Sequence, residues 1–137
     1  GVNASSVAGG KNISVRALCD GKGSESSADK LTEQWVSEGS GKQWVQVDFR
    51  EPFLLNSLSA YWLDDQDKIT VPSGWSVEYK SDAGWTPLEL YVTDSYQMGT
   101  DRFNVVHPSG SLEVESVRIL IEPQKGKSIG VSEIRFE

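Results

Sequence analysis

The chain has 137 residues, a length that fits one domain with a buried core. Its 20 acidic and 13 basic residues give a net charge of −7, which argues against binding to nucleic acid or to anionic membranes. No apolar run approaches the roughly 20 residues of a membrane span. Cys19 is the one cysteine, so an internal disulfide is excluded and the redox compartment stays open.

Apolar residues alternate with polar ones along most of the chain, and this period of two is typical of strands. The predicted strands, in chain order, are residues 44–49, 54–63, 75–80, 103–107, 114–122 and 129–136. Pro52 predicts a corner between two strands, and Asp82-Ala83-Gly84 predicts a hairpin turn into Trp85. The one helical candidate is the short segment 27–32. Short strands separated by Gly, Pro and Asp predict an all-β sandwich.

The last predicted strand changes its apolar phase. Ile129 and Val131 occupy odd positions, whereas Ile134 and Phe136 occupy even ones. Such a change predicts a β-bulge at Ser132-Glu133, and bulges often re-aim side chains at functional sites.

A loop around Asp20 is a candidate cation site. Residues 17–27 combine one well-placed acid, Asp20, with hydroxyls and glycines, and Ca²⁺ binds about 6–8 oxygens, many of them from the backbone. Glu133, at the predicted bulge, can add a bidentate carboxylate. The alternative is that Asp20-Gly21 only forms a turn and Glu133 is a surface acid.

The segment 61–75 places acids and a turn between two tryptophans, and a flat ring beside carboxylates matches the C–H face and hydroxyl rim of a sugar. Trp62 alternates in phase with Leu58 and Ala60, which favours the core. Trp35 follows polar residues in a predicted loop and is the better candidate for stacking. Trp44 is expected to pack, and Trp85 is expected to close one end of the sandwich.

Catalysis by this domain is not expected. Glycoside hydrolysis requires two carboxylates roughly 5–9 Å apart. Asp64 and Asp65 are adjacent and would point to opposite sides of an extended chain. One histidine and one cysteine do not make a zinc cluster, and no serine lies in a nucleophile elbow.

Three motifs near the start, middle and end of the chain resemble the discoidin, or coagulation-factor C-domain, family, whose similar bacterial domains are carbohydrate-binding modules of the galactose-binding-like superfamily. They are Ala17-Leu18-Cys19-Asp20-Gly21, Gln43-Trp44-Val45-Gln46-Val47-Asp48-Phe49 and Val131-Ser132-Glu133-Ile134-Arg135-Phe136. The segments 61–65, 71–75, 85 and 102–104 resemble accessory domains of large bacterial glycoside hydrolases. The glycine-rich stretch of those domains is replaced here by residues 66–70.

This resemblance implies a jelly-roll β-sandwich of two antiparallel sheets with a structural Ca²⁺. The implied calcium ligands are Ala17, Asp20, Lys22, Ser27, Ser132 and Glu133. It also implies that a ligand lies on loops at one end of the sandwich, here residues 33–40, 63–74 and 94–104. The implied ligand-binding residues are Trp35, Trp62, Asp64, Asp65, Tyr96, Arg102 and Asn104.

We therefore expect a non-catalytic carbohydrate-binding module, monomeric by itself, that holds an attached catalytic domain near a glycan. The start Gly1-Val2-Asn3, without a signal-peptide pattern, indicates that residues 1–137 are one domain excised from a larger bacterial protein that is extracellular, on the cell surface or periplasmic. The alternative is a structural or protein-interaction domain of the same fold that has no sugar site. Lipid binding is a third reading, which the charge disfavours.

Overall fold

The computed structural model describes residues 1–10, 13–19, 26–29 and 33–137. It confirms the predicted all-β class, because these residues form two antiparallel sheets and a short 3-10 helix, Val15–Cys19. In chain order the strands are β1 (Val2–Ala4), β2 (Trp35–Val36), β3 (Gln43–Leu55), β4 (Leu58–Trp62), β5 (Gly74–Ser81), β6 (Gly84–Pro87), β7 (Phe103–Val106), β8 (Leu112–Glu122) and β9 (Gly130–Phe136).

The five-stranded sheet has the order β1-β3-β8-β5-β6, and the four-stranded sheet has the order β2-β9-β4-β7. Their facing surfaces form one core, to which β3, β5 and β8 contribute alternate residues, whereas all five residues of β4 are buried. Val45 and Ile119 of the larger sheet and Leu58 of the smaller one are at most 1% exposed. Each such side chain stabilises the fold by roughly 1.5–3 kcal/mol relative to an exposed position. The edge of Trp62 meets Trp75 across the two sheets, with ring centroids 5.3 Å apart.

The predicted bulge is confirmed. Tyr61 pairs with Glu133 and the next residue, Trp62, pairs with Val131, so the register of the two strands shifts at Ser132. Moving from Tyr61 to Trp62 takes one residue in β4 but two residues in β9. This extra residue is the bulge, and it changes the direction in which Glu133 points. The predicted hairpin is confirmed as well, with β5 joined to β6 through the turn 82–83.

Two strand boundaries were predicted wrongly. Pro52 does not separate two strands: β3 runs through it, with a register shift between Asp48 and Phe53. Proline is tolerated at such an irregularity because its missing N–H leaves no ladder bond unmade. The predicted strand 54–63 is divided instead at residues 56–57, where both amides donate to the Glu137 carbonyl.

The helical candidate 27–32 is not confirmed. Its residues 27–29 form a turn, in which the Asp29 amide donates to the Ser26 carbonyl, and residues 30–32 lie outside the described part. Among residues 1–10, 13–19, 26–29 and 33–137, no helix has the length and apolarity that a membrane span requires.

Candidate functional site

The three loops expected to carry a ligand lie at the same end of the sandwich. Ser27 links two of them: its carbonyl accepts from the Asp64 amide at 2.9 Å, and its Oγ accepts from the Asp101 amide at 2.6 Å. Ser128 links the loop 33–40 to the loop 63–74, since its amide donates to the Lys68 carbonyl at 2.8 Å and its Oγ donates to the Gly39 carbonyl at 3.1 Å. The loops 33–40, 63–74 and 94–104 thus form one continuous surface, named below the loop end.

The acidic loop folds around its own carboxylates. Asp64 Oδ1 accepts from the Gln66 amide at 2.8 Å, and Asp65 Oδ1 accepts from the Asp67 and Ile69 amides at 2.8 and 3.0 Å. These Asx-type bonds hold the loop in shape without any glycine between Asp64 and Thr70. Both side chains are partly exposed, so each carboxylate shapes the loop and still borders solvent.

Trp35 does not lie in a loop, and its predicted role as a stacking surface is wrong. It begins β2, pairs with Val131, and is 0% exposed. Its Nε1 donates to the Ser6 carbonyl at 2.9 Å, so even the polar edge of the ring is used internally. A ring with no exposed face cannot stack on a sugar.

Trp62 and Tyr96 also belong to the core. Trp62 is 1% exposed, as its phase in β4 indicates, so it is wrong as a ligand-binding residue. Tyr96 is half-buried with its ring edge against Trp75, and its hydroxyl accepts from the Val77 amide at 3.1 Å. Burial raises the pKa of Tyr96. Both rings pack against Trp75, inside the sandwich and adjacent to the loop end.

Asn104 was expected to contact a ligand, but it is only 2% exposed and holds the loop 94–104 instead. Its Oδ1 accepts from the Gly99 amide at 2.8 Å, and its Nδ2 donates to the Gly99 and Ala60 carbonyls at 3.0 and 3.3 Å. Arg102, in contrast, is exposed, and one of its guanidinium nitrogens donates to Gln97 Oε1 at 3.1 Å. Arg102 therefore stays a candidate for ligand contact.

The residues implied as calcium ligands divide into three groups. Asp20, Lys22 and the side chain of Ala17 lie outside the described part of the structure. Ser27 is buried and bound to Asp101, as above. At the bulge, Glu133 is 1% exposed; its Oε2 accepts from Arg135 Nε at 2.6 Å, whereas its Oε1 has no hydrogen-bond partner among the described residues.

Trp44 and Trp85 were expected to pack, but both are partly exposed on the outer face of the five-stranded sheet. The signal for Trp44 was visible in the sequence: it shares the phase of Gln46 and Asp48, opposite to that of the buried residues of β3. No comparable signal identifies Trp85, whose strand has four residues and whose exposure depends on its neighbours.

Comparisons with known proteins agree with this fold. A chain from the Streptococcus pneumoniae β-galactosidase BgaA has a TM-score of 0.77 at 15% identity, over 100% of this chain and 95% of that one. The family 32 carbohydrate-binding module of Clostridium perfringens NanJ, solved in complex with galactose, has a TM-score of 0.71 at 12% identity, over 99% and 91%. Chitosan-binding module 1 of a Paenibacillus chitosanase/glucanase has a TM-score of 0.71 at 17% identity, over 99% and 92%.

At sequence identities of 12–17%, the structural similarity to these proteins shows a shared fold and nothing further. No curated protein matches the chain at a significant level. The F5/8 type C domain family, however, matches residues 1–134, which is nearly the whole sequence. The chain belongs to the F5/8 type C domain family.

Proposed function

We propose that this domain is a non-catalytic carbohydrate-binding module that keeps an attached glycoside hydrolase close to its glycan. The observation that carries the proposal is the family match over residues 1–134, joined to a fold shared with modules that were solved with sugars, among them galactose and GalNAc-β-1,3-galactose. A similar fold also forms 24% of a Ruminococcus gnavus fucosidase chain, which supports an attached catalytic domain.

The loop end suits a shallow site for hydroxyl groups. Arg102 offers an exposed charged donor and Asp64 and Asp65 offer partly exposed carboxylates at the same end of the sandwich, and charged hydrogen bonds are about twice as strong as neutral ones. Binding by one such surface is weak, and tethering to a catalytic domain raises the effective concentration of substrate.

The candidate acids and bases have structural roles, which supports binding without catalysis. Asp64 and Asp65 accept backbone amides of their own loop. His107 follows β7, and its Nδ1 is 2.9 Å from Asp94 Oδ2. That pairing lowers the pKa of Asp94. These carboxylates are therefore committed to folding loops rather than to transferring protons.

A structural Ca²⁺ fits the described part of the implied ligand set. The Oε1 atom of Glu133 is buried without a hydrogen-bond partner in that part, and an uncompensated buried carboxylate oxygen is costly unless a cation or donor meets it. Glu133 and the Ser132 carbonyl would hold the ion, together with Ser27, Asp20 and the carbonyls of Ala17 and Lys22. When bound, Ca²⁺ would tie the segment 17–27 to the last strand and so support the loop end through Ser27.

We also propose that the domain is part of a bacterial glycoside hydrolase located outside the cytoplasm, and that the domain is monomeric by itself.

The rival function is a structural or protein-interaction domain of the same fold. The burial of Trp35 and Trp62 favours that rival, because it removes the stacking rings that the loop end was expected to have.

A glycan array probed with the labelled domain, with 1 mM-range Ca²⁺ and with EDTA, separates the two functions. We expect retention of galactose-containing glycans and a roughly tenfold loss in Arg102→Ala, which corresponds to about 1.4 kcal/mol. Arg50→Ala is the matched control, since Arg50 is exposed on β3 away from the loop end. If the folded, Ca²⁺-loaded domain retains no glycan, the rival function is correct.

A further inference from the structure

The outer face of the five-stranded sheet carries the exposed tryptophan rings of this protein. Of the five tryptophans, Trp35, Trp62 and Trp75 are at most 6% exposed. Trp44 on β3 and Trp85 on β6 are partly exposed, and strand register places both on the face that points away from the core. The loop end therefore has no exposed tryptophan, whereas the outer face of the five-stranded sheet has two, Trp44 and Trp85.

Arg118 of β8 lies between these two rings. Its guanidinium carbon is 4.0 Å from the centroid of Trp85 and 5.5 Å from that of Trp44. Its Nη2 donates to Gln46 Oε1 at 2.8 Å, while Gln46 Nε2 donates to Asp48 Oδ1 at 3.0 Å. The stack and the hydrogen bonds hold the rings in fixed positions before any ligand arrives, which lowers the entropic cost of binding.

A groove adjoins Trp44 where this face meets the loop end. Its volume is about 380 Å³, within the range of about 300–1,000 Å³ that is typical of ligand sites. Trp44 and Leu120 form its apolar lining, and Ser76 adds a hydroxyl. Gly74 borders the groove without a side chain, and a Cβ there would meet nothing within 4 Å. The groove is therefore open beside an aromatic ring.

The charges around the groove and the Arg118 stack balance. Glu78 and Glu122 lie 3.9 and 3.8 Å from Arg118 and Lys42. Each of these two acids beside the groove is therefore offset by a base, while Glu113 and Glu115, which form no ion pair among the described residues, lie further along β8. The core of a protein interface is depleted in charged residues, whereas a hydroxyl-rich ligand is matched by aromatic rings among hydrogen-bonding groups.

We propose that this outer face is a second glycan-binding surface, on which a neutral chain of pyranose units stacks on Trp44 and extends along the groove past Ser76. The proposal rests on the carbohydrate-binding function proposed above and assigns to it a surface separate from the loop end. Gly74 borders the groove at the end of the loop 63–74, so the groove adjoins the loop end, and we expect this face to favour polysaccharides over single sugars.

Affinity electrophoresis in gels that contain galactan, galactomannan or xyloglucan tests this proposal. Trp44→Ala should weaken retardation by the retaining polysaccharide at least fivefold. Gly74→Leu should do the same by filling the groove from a position where an added Cβ meets nothing within 4 Å. Tyr91→Ala is the matched control, because Tyr91 is an aromatic residue 52% exposed on another surface. Circular dichroism checks that each variant is folded.

The outcomes separate this proposal from the previous one. If the wild type is retarded, and Arg102→Ala abolishes the retardation while Trp44→Ala and Gly74→Leu do not change it, the second surface is refuted and the carbohydrate-binding function stands. If no gel or array retains the wild type, both proposals fail. If sedimentation shows a dimer that Trp44→Ala dissociates, and no glycan binds, the face is an interface between copies and the proposal is overturned.

Discussion

Replacement of Asn104 by alanine should destabilise the domain. The amide group of this buried side chain makes its two shortest bonds, at 2.8 and 3.0 Å, to the N–H and the carbonyl of Gly99. An unpaired buried polar group costs about 1–3 kcal/mol, and the partly buried setting of these bonds places each loss near the lower end. We therefore expect a loss of about 2–3 kcal/mol, or roughly 6–12 °C in Tm for a domain of this size.

Urea denaturation of Asn104→Ala measures this loss, with Gln97→Ala as the control in the same loop. Gln97 is exposed, so its removal should change the free energy of unfolding by less than about 0.5 kcal/mol. The structural role is refuted if Asn104→Ala is as stable as the wild type but no longer binds glycans, since that result would make Asn104 a ligand contact.

The variant Asn104→Asp adds a pH test of the same reasoning. Its carboxyl group keeps the acceptor that faces the Gly99 amide and replaces the donor that faces the Gly99 and Ala60 carbonyls. A negative charge beside carbonyl oxygens is unfavourable, so the pKa of the new carboxyl is raised in the folded state. Stability relative to the wild type should be best below the unfolded-state pKa and should fall as pH rises through the folded-state pKa.

Gly130→Ala should lower the free energy of unfolding by about 1–3 kcal/mol, because a Cβ there would lie 2.8 Å from an isoleucine methyl of the loop 63–74. Gly41→Ala, whose Cβ would meet nothing within 4 Å, is the control, and equal stabilities in urea would contradict the packing argument. Ser116→Ala should raise the pKa of Asp48, which hydrogen bonds from Ser116 and a neighbouring glutamine lower; ¹³C NMR titration measures it. The stability from this bond is present above the unfolded-state pKa and is lost as pH falls through the folded-state pKa. EDTA should lower the Tm, as a ligand at 100 times its Kd adds about 2.7 kcal/mol. Asp20→Ala should remove that response, and a melting curve that EDTA leaves unchanged would argue against the calcium site.

Side-chain alternation in the sequence was sufficient to predict features that depend on a single strand. The phase change between Val131 and Ile134 predicted the bulge, because the side-chain period of a strand is two and an extra residue must reverse it. The hairpin before Trp85 followed from turn residues in the same way. Both features depend on a few consecutive residues, and the structure confirms both.

Alternation did not reveal Trp35. Its strand has only two residues, and its partner Val131 lies at the far end of the chain. A pair of residues is too short to show a period in the sequence. The two residues form a strand because they pair with β9 in the folded structure. The polar residues before Trp35 indicated a loop and an exposed ring, and the tertiary pairing reversed that expectation.

The sequence by itself determined three things about this protein. It determined that the fold is a β-sandwich, it located the bulge in β9, and it identified the residues of β3 that share a face with Trp44. It did not determine which aromatic rings reach solvent. The phase of a strand separates its two faces but does not say what covers each one. Only the packing of the second sheet and its loops buries Trp35 and Trp62 and leaves Trp44 and Trp85 on the surface, because burial depends on residues distant in sequence.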